Sequence, residues 1–253
     1  MTPAGELQPL HAHGEALTID AFVDRLGLWE GTPRSAERPR VLAGMVGSVD
    51  GRATVEGRAG GLSNPVDRAL LRAMRAPVDA MLVGAGTLIA EGYANLVDAG
   101  QREQRIARGL PATPLMATIS RGLAPALTQV PLFGEAGQRI VVFTESHEEL
   151  PACGADVVLE RFDPGALTAR RCLQRLRASG VRTLLSEGGP TLLHELVRER
   201  LLDELILTIA SLLVAGDGRS VVHGPVFEPP VALRLDDVAR AGDYLFLRYL
   251  PVA

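Results

Sequence analysis

The chain contains no lysine, and all 26 of its basic residues are arginine. A Schiff-base or general-base lysine is thereby excluded from any mechanism. Cysteine is nearly absent as well. Cys153 and Cys172 lie in no metal-ligand spacing and are too few for a disulfide framework, so a reducing compartment is expected. No strongly basic segment exists and the formal net charge is −4, which argues against a nucleic-acid surface. No apolar run is long enough to span a bilayer. Met1 to Pro9 lacks the charged start and apolar core of a signal peptide. The expectation from these absences is a cytoplasmic protein with no membrane partner, no nucleic-acid partner and no bound metal.

What is present suits one α/β core. Hydrophobic residues make up 47% of 253 positions, enough to bury a single domain of this size. Residues 1–40 read as an N-terminal extension rich in proline, glycine and charge, a mobile tail around one weak amphipathic helix, Ile19 to Leu28, with Asp20 as its cap. His11-Ala12-His13-Gly14-Glu15 holds an H-x-E triplet of the kind found in zinc deaminases. No P-C-x-x-C follows it, so no zinc site is expected. Residues 41–253 form the expected domain.

Within that domain, apolar strands alternate with amphipathic helices, and strands take over at the end. This is the pattern of a mostly parallel sheet flanked by helices, with antiparallel strands at the C-terminus. Val41 to Val46 reads as a strand ending in Gly47-Ser48-Val49-Asp50-Gly51-Arg52, followed by a glycine-rich loop exposed at a sheet edge. Ser63-Asn64-Pro65 starts a helix carrying Arg68. Ala80 to Val83 is a strand running into Gly84-Ala85-Gly86-Thr87. A Rossmann fingerprint fails there, because its third glycine would fall on Ile89. Arg182 to Leu185 is another strand, ending in Ser186-Glu187-Gly188-Gly189-Pro190-Thr191. Gly188 and Gly189 permit a tight reversal and Pro190 suits a first helical position, so backbone N–H groups and the positive helix end would face an anion over the turn. An ordinary strand-to-helix connection is the alternative for the same residues. Ligands sit beyond the carboxyl ends of parallel strands, and all three turns follow strands, so they should share one rim.

The ordered motifs M-V-G-S-V-D-G-R, L-S-N-P-V-D-R-A-L-L-R-A, D-A-M-L-V-G-A-G-T-L and L-S-E-G-G-P-T-L, with L-L-D-E-L-I-L-T-I-A behind them, resemble the reductase domain of the riboflavin-biosynthesis pyrimidine reductases. The resemblance implies a dihydrofolate-reductase-like fold. It also implies an NADPH-dependent homodimer that reduces the ribosyl group of a ribosylaminopyrimidine phosphate to a ribityl chain. It places the dinucleotide on Gly84, Thr87 and Glu187 to Thr191, and the pyrimidine and its phosphate toward Ser48, Asp50 and Arg68. Members fused to a deaminase carry cysteines missing here, so that activity should be absent. Several also carry a lysine in the first strand, where this chain has Gly44.

Asp50, at a strand end, is the candidate to hold or relay the proton that accompanies hydride transfer; its alternative is simple turn formation with Gly51. Arg68 is the candidate phosphate ligand, or else part of a solvated helix face with Arg72 and Arg75. Glu187 would repel a pyrophosphate, so its carboxylate is expected at a ribose hydroxyl or at the substrate. Ser120 and Arg121, after a strand, are candidates for the 2′-phosphate of NADPH. His194 is expected to be packed or on the surface. The leucine-rich run Leu205 to Leu213 is the expected dimer surface. A dihydrofolate or pterin reductase and a non-catalytic NADPH-binding protein are the rival functions.

Overall fold

A computed structural model describes residues 17–252. Nine strands form one sheet in the order β5-β4-β3-β2-β6-β1-β7-β9-β8. They are β1 (Arg40–Ser48), β2 (Ala80–Gly84), β3 (Leu115–Ile119), β4 (Arg139–Thr144), β5 (Asp156–Arg161), β6 (Thr183–Ser186), β7 (Glu204–Ala210), β8 (Leu233–Ala241) and β9 (Tyr244–Pro251). The first seven are parallel, whereas β9 runs antiparallel to β7 and β8 antiparallel to β9. This is the expected fold class. The helices are α1 (Ile19–Asp24), α2 (Pro65–Arg75), α3 (Ala85–Glu91), α4 (Ala99–Ala107), α5 (Ala169–Ala178) and α6 (Pro190–Arg198).

The central strands are apolar on both sides because both sides are covered. Along β1, Leu42 packs into the core formed with Leu70 and Met74 of α2 and Leu88 of α3. Its neighbours Val41 and Ala43 point the other way, into the core formed with Leu173 and Leu176 of α5 and Leu193 and Leu196 of α6. The two-residue period of a strand distributes them in this way. Gly44 falls on the α2 side, where a Cβ would lie 2.8 Å from Leu71 Cδ2 and 3.2 Å from Met74 Cε. A side chain at this point of the first strand would have to displace the ends of the Leu71 and Met74 side chains.

Helix starts follow their signals. Asn64 caps α2 by accepting from the Asp67 N–H at 2.8 Å, with Pro65 next. Asp98 and Gln101 form a capping box on α4.

Three expectations need correction, and a fourth lies outside the described residues. The N-terminal helix stops at Asp24, and its cap is Thr18, whose Oγ1 accepts from the Ala21 N–H at 3.1 Å; Asp20 lies inside the first turn. The glycine-rich loop after β1 does not lie at a sheet edge, since β1 is flanked by β6 and β7. Leu205 and Ile206 are buried in an inner strand between β1 and β9, so the run Leu205 to Leu213 offers no continuous surface; Leu212 and Leu213 are exposed beyond its end. The His11 to Glu15 triplet lies outside the described residues.

Candidate active site

The register of β2, β6 and β1 brings three turns together. Met81 pairs with Leu185 and Leu42 with the same residue, so the carboxyl ends of the three strands finish side by side. A cavity of about 960 Å³ opens there. Gly84, Gly86 and Thr87 line one side, and Glu187, Gly189, Pro190 and Thr191 another.

The two glycine turns touch. Gly84 N–H donates to Gly188 O at 2.8 Å, and a Cβ on Gly189 would lie 2.5 Å from Thr87 Oγ1. Gly188 adopts φ +87°, a left-handed conformation that favours glycine, and the Gly188–Gly189 peptide is cis. Helix α6 starts at Pro190 with no side chain capping it. Gly86 has open space where a side chain would stand. An uncapped helix start beside side-chain-free turns fits the pyrophosphate of a dinucleotide. Gly84, Gly86, Gly189, Pro190 and Thr191 are the residues that would hold it, with Thr87 joining the two turns.

Below this rim lies a buried charge cluster. Glu187 accepts from Arg75 Nε at 2.6 Å and Nη2 at 2.7 Å, a bidentate pair, and from the Tyr93 hydroxyl at 2.8 Å. The Arg75 guanidinium lies 5.4 Å from the Tyr93 ring centroid. All three residues line the cavity. Burial alone would lower the Arg75 value, but the adjoining carboxylate raises it. Burial, then Glu187, pushes the Tyr93 phenol well up, so it keeps its proton. Glu187 lines the cavity, but its oxygens, expected at a ribose hydroxyl or at the substrate, are engaged by Arg75 and Tyr93. Arg75 and Tyr93 are functional candidates that sequence reasoning missed. Arg75 looked like one more arginine on a polar helix face, and Tyr93 sat in a glycine-flanked polar segment.

A second acid is present. Asp67 on α2 lines the cavity although only 1% exposed, and Ser63 Oγ donates to its Oδ2 at 2.5 Å. Its Oδ1 is buried without a hydrogen-bond partner. Burial raises its acidity value against the opposing pull of the Ser63 and Thr208 hydroxyls. Arg68, one residue on, lines the cavity with its Nη1 donating to Ser63 O at 2.9 Å. Its guanidinium meets no carboxylate among the described residues, as a phosphate ligand requires.

Several expected site residues are placed elsewhere. Ser48 is buried and its hydroxyl donates to Asp50 Oδ1 at 2.5 Å while accepting from the Arg52 N–H at 2.9 Å. The exposed Asp50 carboxylate also accepts from the Val214 and Ala215 N–H groups, at 3.1 and 2.7 Å. These bonds, that from Ser48 foremost, hold its pKa down to about 2, so at neutral pH it has no proton to give. The expectation that Asp50 faces the pocket is corrected: it and Ser48 point to the chain around residue 214. Ser120 Oγ accepts from the Ala124 N–H at 3.0 Å. Arg121 donates to Leu167 O at 2.8 Å and pairs with Glu145 at 3.3 Å. Ser120 is therefore committed to a local turn and Arg121 to the segments around Leu167 and Glu145, and neither lines the cavity. His194 is buried, stacked on Phe227 with ring centroids 4.6 Å apart.

A mostly parallel sheet with glycine turns at the carboxyl ends of adjacent strands places the chain among the α/β proteins, whose ligands sit at that end of the sheet. Within this class, residues 39–247 match the family described as RibD C-terminal domain, and the chain belongs to that family. It is 29% identical over 215 residues to the 2,5-diamino-6-ribosylamino-4(3H)-pyrimidinone 5′-phosphate reductase of Archaeoglobus fulgidus, covering 81% of this chain and 95% of the relative. The protein of the same name from Methanothermobacter thermautotrophicus is 27% identical, covering 79% of this chain and 91% of its own. A pyrimidine reductase-like protein from Corynebacterium diphtheriae shares the fold with a TM-score of 0.73 at 20% identity, covering 94% of this chain and all of its own.

Two outcomes follow from the geometry. Gly189→Ala should cost about 1–3 kcal/mol of stability through the contact with Thr87, and adding Thr87→Ala should recover most of it; thermal melts of both variants check this. Asp67 titrates above its ordinary value of 3.8 in the folded chain. Its contribution to stability is then complete below that value and is lost as pH rises through the folded value. Asp67→Asn should remove this component, so its melting temperature relative to the parent should climb with pH; a constant difference would mean that folding does not shift the Asp67 pKa.

Proposed function

We propose that the chain is an NADPH-dependent reductase of a ribosylaminopyrimidine phosphate, acting on C1 of the opened ribose in its imine form, in riboflavin biosynthesis. The observation that carries this reading is the meeting of two glycine turns and an uncapped helix start over the buried Arg75–Glu187–Tyr93 cluster. Family membership and the printed names of the relatives support it. NADPH, when bound, supplies the hydride.

The chain's own residues would position both ligands and supply a proton. Gly84, Thr87 and Gly188 to Thr191 form the dinucleotide rim, with Glu187 beneath it fixed by Arg75. Ser120 and Arg121 reach the cofactor only if they release their present partners, the Ala124 N–H for Ser120 and Leu167 O with Glu145 for Arg121. Arg68 takes the substrate phosphate. The proton required at the imine nitrogen would come from the Ser63 hydroxyl on the cavity wall and be replaced by that of Asp67, whose raised value keeps it protonated to higher pH than an ordinary carboxyl; in this relay the protonated Asp67 donates to Ser63 Oγ, the reverse of the bond in the resting site. Asp50 takes no part in the proton step.

A homodimer is supported by the edge strand β8, where Leu233 and Leu235 are 40% and 45% exposed. No described helix is long and apolar enough to cross a membrane, and a cytoplasmic location is part of the proposal.

The test is NADPH oxidation by purified protein with the phosphoribosylamino-pyrimidine and with dihydrofolate. Turnover of the pyrimidine alone is expected. Preference for dihydrofolate would make the chain a folate-type reductase, and NADPH binding without turnover of either would make it a non-catalytic binder; both outcomes overturn the proposal.

A further inference from the structure

The start of α6 lacks a support that most helix starts have. Gly189 stands at its N-cap position and has no side chain to accept from the first free N–H groups, a contact that contributes about 1 kcal/mol where it is made. Yet Pro190, Thr191 and Leu192 of this first turn line the cavity. A first turn without a cap keeps its geometry only if something else holds it.

What holds it is the Arg219 loop, the connection that runs from the end of β7 at Ala210 to the start of β8 at Leu233 without a helix or strand of its own. An irregular connection longer than about 12–15 residues inside a compact domain is uncommon and is usually functional. The near half of the loop is fixed to the turn after β1. Asp50 accepts from the Val214 and Ala215 N–H groups, Arg52 and Ser220 form an antiparallel bridge, and the Val221 N–H donates to Gly51 O at 3.0 Å.

The far half, beginning at Val222, is fixed to α6 instead. The His223 N–H donates to Pro190 O at 3.2 Å. One turn further along α6, the buried His194 has Nε2 2.7 Å from Pro225 O, and its ring stacks on Phe227 at an interplanar angle of 10°. A carbonyl oxygen only accepts, so Nε2 carries the hydrogen. Gly224 completes the contact. A Cβ there would lie 2.5 Å from His194 Cδ2 and 2.6 Å from Nδ1, and these are ring atoms of a buried side chain, not the free end of a flexible one. Apart from the half-buried Phe227, residues 223–228 are exposed, so the core does little to hold this segment and its contacts with Pro190 and His194 carry it.

We propose that His194 is a positioning residue for the cofactor. With Gly224 and Phe227 it latches the far half of the Arg219 loop onto the first turn of α6, and the latched loop stands in for the missing cap of the helix start that receives the dinucleotide. The inference rests on the dinucleotide part of the reading above. His194 does not line the cavity and acts through Pro190. With the latch open, the first turn of α6 spends part of its time out of the binding geometry, and the apparent affinity falls by that fraction. The near half of the loop keeps its own anchors, so the substrate side of the cavity is left as it was.

The experiment titrates NADPH into the full chain by fluorescence and measures kcat and KM for the pyrimidine phosphate at saturating NADPH. Two variants act from the helix side: His194→Phe keeps a ring for the stack and removes the donor, and His194→Gln restores an N–H donor. Gly224→Ala opens the latch from the loop side, and the His194→Phe/Gly224→Ala pair completes the set. His194→Phe and Gly224→Ala should each weaken NADPH binding about fivefold, the worth of one neutral hydrogen bond. The pair should lose no more than either alone, and His194→Gln should recover most of the affinity. At saturating NADPH, kcat and the pyrimidine KM should stay within about twofold of the parent, the mark of a lost binding contribution. Gly224 is exposed, so its variant decides the matter even where a His194 variant fails to fold. Unchanged NADPH affinity in His194→Phe and Gly224→Ala would overturn the proposal. Parallel losses in kcat, pyrimidine KM and NADPH affinity would overturn it too, because they would reduce the latch to general support of the fold. A His194→Gln variant as weak as His194→Phe would take the hydrogen bond out of the latch and sink it in the same way. A parent that binds NADPH and reduces neither the pyrimidine nor dihydrofolate would sink the reductase reading alone, since the titration reads the latch without turnover; a parent that binds no NADPH would sink both.

Discussion

The bidentate pair between Arg75 and Glu187 is the interaction on which the site depends. It joins the last residue of α2 to the turn after β6, two segments 112 positions apart, at the place where the cavity meets the core. Glu187 is 4% exposed in its side chain and Arg75 17%, so neither charge is well hydrated and each requires the other. Tyr93 satisfies the carboxylate further and lays its ring against the guanidinium. With the carboxylate held, Gly188 and Gly189 are held next to it, and so is the start of α6. The negative charge beside the glycine turns is thereby neutralised from below.

The sheet supplies the frame for that pair. Because β6 lies between β2 and β1, the turns that follow these strands have to share one rim, and a side chain at Gly84 or Gly189 would fill the space where the turns meet. The same order buries the central strands on both faces, which is why their sequences read as unbroken apolar runs. The antiparallel pair β9 and β8 then extends the sheet on the β7 side and leaves β8 as an exposed edge.

Much of the fold was legible because its signals are local. Asn64-Pro65, Gly189-Pro190 and the Gly84 turn each announce a helix start by residue type alone, whereas the unbroken apolar runs of the central strands do not tell which residues face α2 and which face α6. The site was legible only where a motif carries its own geometry, as the glycine turns do. Arg68, Arg72 and Arg75 recur along one helix with nothing local to separate them; only the long-range position of Glu187 turns Arg75 inward and leaves Arg68 at the cavity wall. Asp50 shows the converse. A Ser-x-Asp-Gly turn has the same local pattern whether its carboxylate faces a ligand or satisfies backbone N–H groups 164 positions later, and here it does the second. Leu212 and Leu213 extend the apolar run of β7 in composition, but the strand ends at Ala210 where the chain leaves the sheet to form the Arg219 loop.

The central claim is that the Arg75–Glu187 pair acts as one unit that sets the floor of the site. A double-mutant cycle on folding stability, with Arg75→Met and Glu187→Gln, tests it most directly. Each single change should cost about 3–5 kcal/mol, since it strands a buried charge or its unsatisfied partner. The double variant should cost clearly less than the sum of the two. Strictly additive losses would contradict the account, because they would mean that the two residues hold their segments independently.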